Sequence, residues 1–122
     1  MHELAVCQSL LREIERVASV HGATEVSRIE IAVGPLSGIE APLLDRAFSI
    51  ARIGTLAGRA ELEIEEMPII VWCAACQTES KAVTANALLC ARCGTWQVDV
   101  RSGDELILTQ VELVRATEAA TV

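Results

Sequence analysis

A chain of 122 residues with 52% apolar side chains has material for one domain, or one domain carrying a small module. Seventeen acidic residues against ten basic ones give a net charge of −7, and Lys81 is the single lysine, which argues against nucleic-acid binding. No apolar run approaches a bilayer span and no basic-then-apolar leader opens the chain, so a cytoplasmic protein without a membrane anchor is expected.

His2 to about Val20 has the pattern of an amphipathic helix. Leu4, Cys7, Leu11, Ile14 and Ala18 form its apolar stripe, and Arg12–Glu15 and Glu13–Arg16 are opposite charges at i,i+3. Gly22 closes that helix. Glu25 to Val33 alternates, with Ile29, Ile31 and Val33 on one face, and reads as a strand broken by Gly34-Pro35. After a loop to Glu40, a second helix starts at Glu40 or Ala41 with Pro42 in its first turn. Its apolar side is Leu43, Leu44, Ala47, Phe48, Ile50 and Ala51. Ala60 to Met67 is a second strand, with Leu62, Ile64 and Met67 inward and Glu61, Glu63 and Glu65 outward. Ile69 to Trp72 is a short apolar run. Further on, Trp96, Val98 and Val100 alternate as a strand, and Glu105 to Val114 forms a last strand with a register slip near Thr109-Gln110. The small, polar tail from Arg115 is expected to be disordered.

Cys73-Ala-Ala-Cys76 and Cys90-Ala-Arg-Cys93 are two Cys-x-x-Cys knuckles separated by thirteen residues. Two pairs at that separation suit one tetrahedral four-thiolate zinc site, whereas a redox role would need only one pair. Gly94 lets the backbone turn beneath the metal. Cys7, the fifth cysteine, sits in an apolar stripe and reads as a buried thiol. The expected fold is α+β, a small three-stranded sheet covered by two helices, with an inserted zinc-ribbon module. The ribbon occupies residues 68–103, which makes the main domain discontinuous over 1–67 and 104–122.

Met1-His2-Glu3 places an imidazole one residue after the terminal amine. A metal there closes a five-membered ring through the amine and the His2 amide and a six-membered ring through the imidazole. Three nitrogens lie in a plane, with a fourth position for the Glu3 amide or another donor. Planar nitrogen coordination favours Ni(II) or Cu(II) over zinc. The plainer alternative is an incidental terminal histidine, with Glu3 suited to a helix N-terminus.

The chain resembles the HypA/HybF family of hydrogenase nickel-incorporation proteins. The resemblance rests on Met1-His2-Glu3-Leu4, on Gly34-Pro35-Leu36-Ser37-Gly38-Ile39-Glu40, on the two knuckles, and on Gly103-Asp104-Glu105-Leu106. It implies nickel at Met1, His2 and Glu3, and zinc on Cys73, Cys76, Cys90 and Cys93. It also implies a metallochaperone that works with a HypB-type GTPase and delivers nickel to the [NiFe]-hydrogenase large subunit. Ala5 departs from the serine common in relatives, at little cost to either metal site. A zinc-ribbon interaction or nucleic-acid-binding module without nickel is the competing class, which the negative charge disfavours. An enzyme is not expected, because four cysteines leave zinc no open position for water or substrate.

Overall fold

Residues 2–115 are described by a computed structural model, so Met1 and residues 116–122 lie outside the described residues, while Arg115, expected to open the disordered tail, ends a strand because it pairs with Ala23. Helix α1, Glu3–Val20, ends at His21 and Gly22, the latter with φ 65°. Its buried stripe is Glu3, Cys7, Leu11, Ile14 and Ala18. Leu4, expected inward, is 48% exposed, and Glu3 takes its place. Positions three and four before Cys7 both reach the stripe's edge. Glu3 wins because the Glu40 N–H donates to its Oε2 at 3.4 Å, which satisfies the buried carboxylate. Glu13 and Arg16 pair at 2.5 Å as expected, while Arg12 donates instead to Ser9 Oγ at 3.0 Å.

Strand β1 spans Ala23–Val33, followed by a 3-10 turn, Pro35–Ser37, and helix α2, Ala41–Ala51. Strand β2, Glu61–Glu66, pairs with β1 in parallel, and the last strand of the chain, Leu106–Arg115, pairs with β1 antiparallel on its other side. Register along that antiparallel ladder slips three times, each time past a hydroxyl residue: Thr24, Ser27 and Thr109. Their hydroxyls donate across the ladder to the carbonyls of Val114 (3.4 Å), Glu112 (3.2 Å) and Glu30 (3.0 Å). These bulges let residues of mixed parity face inward, so Val26 and Ile29, three apart, are both fully buried.

The core lies between this sheet and the helices. Val26, Ile29, Ile31 and Val33 pack against Cys7, Leu11, Ile14, Leu44 and Phe48. On α2 only Leu44 and Phe48 are fully buried. Leu43 and Ile50, expected on the apolar side, are 39% and 66% exposed, because one narrow stripe suffices to cover the parallel β1–β2 pair. Arg52 ties the following loop to the helix by donating to the carbonyls of Ala57 and Ala60. The outer sheet face is ionic: Arg28 meets Glu61 at 3.0 Å, Glu30 and Glu112 at 3.4 Å each, and also Glu63.

Between β2 and the last strand the chain builds a second sheet. It comprises β3, Ile70–Cys73, β4, Thr78–Lys81, and β5, Val98–Ser102, in the order β4-β3-β5 and antiparallel throughout. The last strand, Leu106–Arg115, is therefore β6. Strand β4 is Thr-Glu-Ser-Lys, with no apolar alternation to announce it, and forms because β3 offers it a ladder. Strand β5 begins at Val98 and not at Trp96, whose side chain is 76% exposed and has nothing to pack on. The ribbon's own core is small: Ile69, Val71 and Ala82, with Leu36 reaching in from the 3-10 turn. Leu36 N–H donates to the Gly103 carbonyl (2.7 Å) and Gly34 N–H to that of Glu105 (2.8 Å), so the two sheets are clasped at this turn.

Candidate metal centre

The four knuckle cysteines converge between β3 and the segment before β5. All four Sγ atoms lie within 4.8 Å of one another, with Cys73 and Cys93 at 3.7 Å and Cys76 and Cys90 at 3.9 Å. A tetrahedral zinc with Zn–S bonds of about 2.3 Å requires sulfurs about 3.8 Å apart, so the donor set fits a structural metal such as zinc. No disulfide links any of the cysteines.

Each knuckle holds its sulfur from behind with backbone N–H groups. Cys76 N–H donates to Cys73 Sγ at 3.4 Å, and Arg92 and Cys93 N–H donate to Cys90 Sγ at 3.4 and 3.5 Å. The residue after each knuckle is left-handed, Gln77 at φ 52° and Gly94 at φ 75°, which turns the chain sharply as it leaves the sulfurs. The Cys93 and Arg92 donors bring the Cys90 thiol down to about 6. Cys76 is pushed up to about 12, chiefly by its hydrogen bond with Cys93 and then by burial. A bound dication takes the ligands as thiolates and crosslinks the two knuckles.

The N-terminal candidates lie at the start of α1. Of Met1, His2 and Glu3, Met1 is outside the described residues. His2 is exposed, occupies the cap position of α1 and makes no side-chain capping bond. The first helical hydrogen bond runs from Val6 N–H to the His2 carbonyl at 2.9 Å. The Glu3 amide lies in the first turn, ahead of that ladder. The Glu3 carboxylate, by contrast, points inward to the Glu40 amide. The start of the chain and the Gly34–Glu40 motif thus meet in space, a contact that sequence spacing gave no means to see. His21 sits at the far end of the 18-residue α1, about 27 Å away, and belongs to neither group.

Residues 1–113 match the family profile described as hydrogenase/urease nickel incorporation, metallochaperone, HypA. The chain is 46% identical over 114 residues to hydrogenase maturation factor HypA of Nitrosospira multiformis, covering 93% of this chain and 98% of that one. It is 37% identical over 113 residues to the Aquifex aeolicus factor of the same name, covering 93% and 97%. The solution structure of the Ni metallochaperone HypA from Helicobacter pylori superposes with a TM-score of 0.67 at 26% identity, covering 94% of this chain and 99% of that one. No helix among the described residues is long and apolar enough to cross a membrane. With a family match over nearly the whole length and the four-cysteine cluster in place, this chain belongs to the HypA family of hydrogenase nickel-incorporation metallochaperones, which are not enzymes.

Proposed function

We propose that this chain carries Ni(II) on the Met1 amine and the His2 amide and imidazole, with the Glu3 amide in the fourth position, and hands it to the [NiFe]-hydrogenase large subunit together with a HypB-type GTPase. The carrying observation is the exposed His2, which occupies the cap position at the start of α1 and makes no side-chain capping bond. Nickel on the imidazole takes no capping bond from the helix. Planar nitrogen donors select nickel, while four soft thiolates in a tetrahedron select zinc, so one chain keeps a resident metal and a transferable one apart. Ligands drawn from one short terminal segment also suit release, since a partner displaces them without unfolding the core.

In this reading Cys73, Cys76, Cys90 and Cys93 hold structural zinc in a ribbon domain, residues 68–103. Residues 1–67 and 104–122 form the nickel-binding domain, and the work takes place in the cytoplasm. The test is nickel titration of untagged protein beside His2→Ala, with zinc measured in both. The expected result is one nickel on the wild type, none bound specifically by the variant, and one zinc on each. A variant that binds nickel with unchanged affinity overturns the assignment.

A further inference from the structure

The two edges of the first sheet are treated differently by the sequence. Strand β2 carries Glu61, Glu63, Glu65 and Glu66 along its six residues, which guards that edge against pairing with another chain. Strand β6, at the opposite edge, has ten residues, no proline and no lysine, and only Glu112 and Arg115 are charged. Among the described residues its outer edge pairs with no strand. Alongside it runs an apolar groove of about 390 Å³ lined by Ala5, Val6, Ser9, Leu10, Glu13 and Leu106. Ile107, on the ionic face of the sheet, is 49% exposed.

The pattern of β6 is complementary to itself. The Thr109 bulge shifts side-chain parity, so Leu106 and Leu108 before it and Val111 and Leu113 after it all pack towards the helices. A two-fold axis between Thr109 and Gln110 therefore sets Leu106 opposite Leu113 of the second copy, and Leu108 opposite Val111. The same axis sets Ile107 opposite Glu112, and Asp104, just before the strand, opposite Arg115 at its other end. Apolar meets apolar on one face, and opposite charges meet at both ends. We propose that β6 pairs antiparallel with β6 of a second copy of this chain, joining the two three-stranded sheets into one of six strands.

One strand pair and its flanking groove bury less than the about 1,200–2,000 Å² of stable interfaces, so the dimer is weak and concentration-dependent. Sedimentation velocity of the zinc-loaded full chain over a concentration series tests this. The expected result is one chain per particle when dilute, moving towards two when concentrated. Ile107→Glu puts like charges opposite each other and raises the dissociation constant at least tenfold, while Ile107→Lys, facing Glu112, keeps the dimer. Arg115→Asp weakens it, and Asp104→Arg together with Arg115→Asp restores it. Ile50→Glu, an exposed change of the same kind on α2, has no effect. Zinc content and circular dichroism confirm that each variant is folded. Because Arg115 lies at an exposed strand end, its single and double variants decide the matter if changes at Ile107 disturb folding. A monomer at every concentration overturns the proposal, as does equal loss from both Ile107 variants or no rescue in the double variant.

Discussion

Gly34 and Gly103 cross backbone against backbone: a Cβ placed on Gly34 would lie 2.0 Å from the Gly103 carbonyl oxygen and 2.2 Å from its carbon. The crossing is where the turn after β1 meets the chain returning from the ribbon, and it is closed by the bonds from Leu36 to Gly103 and from Gly34 to Glu105. No flexible side chain is available to yield, so Gly34→Ala must push the two segments apart. The expected cost is about 2–4 kcal/mol, read as a lowered denaturation midpoint. Gly58→Ala is the comparison, since its nearest neighbour is 3.3 Å away. Equal midpoints for the two variants would contradict the crossing.

Removing zinc should melt one sheet and spare the other. The ribbon buries only Ile69, Val71 and Ala82 beside the thiols, too little to offset ordering more than thirty residues, whereas the first sheet has a core of its own. Chelation, or Cys90→Ser, is expected to abolish amide-exchange protection across β3, β4 and β5 while β1 and α1 keep theirs. Loss of protection in both sheets together would mean that zinc holds the whole fold.

Glu3 separates into two roles, and two substitutions distinguish them. Ala removes the carboxylate and leaves the Glu40 N–H without its acceptor, which lowers stability, but retains the Glu3 amide. Pro removes the amide proton as well and is tolerated at the first helical position. Nickel stoichiometry should survive Glu3→Ala and fail in Glu3→Pro, with circular dichroism checking that α1 persists in both. Nickel lost equally in both variants would make the carboxylate, and not the amide, the ligand.

The elements with apolar periodicity were legible before any coordinates, and so was the cysteine quartet, because Cys-x-x-Cys spacing is a local property. Even the slip near Thr109-Gln110 could be read, since alternation breaks visibly there. What was hidden depended on contacts between distant residues. Glu3 replaced Leu4 in the stripe only because a loop 37 residues away presents an amide. Strand β4 has no apolar signature and exists by virtue of its partner. Ser27 gives no sequence sign of a bulge, yet that bulge turns Val26 inward.

Four carboxylates of the outer sheet face share Arg28. Arg28 serves Glu30, Glu61, Glu63 and Glu112 from the central strand, with its own side chain 26% exposed. Each exposed pair is worth little alone, about 0.2–1 kcal/mol, but Arg28→Met leaves four carboxylates facing one another across three strands. Stability is expected to fall at low ionic strength, and the loss to shrink in molar salt as the Debye length falls to about 3 Å. Urea midpoints at low and high salt measure it. A loss that does not respond to salt would assign the role of Arg28 to packing of its stem.

Cys7 is fully buried in α1, and its thiol donates to the Leu44 carbonyl of α2 at 3.5 Å. Burial, and secondarily the charge of Glu3, pushes it up to about 11 from an ordinary 9.0. The native state thus keeps the proton that the unfolded chain gives up more readily. Stability from this group is complete below pH 9 and declines as the pH rises towards 11, where the native thiol also ionises. Two outcomes are expected. Cys7 in zinc-loaded protein resists iodoacetamide at pH 8 until denaturant is added, as followed by mass spectrometry. The urea midpoint also drops between pH 9 and 11, and drops less in Cys7→Ala. Rapid native alkylation, or an identical alkaline loss in the variant, would place the alkaline sensitivity elsewhere in the chain.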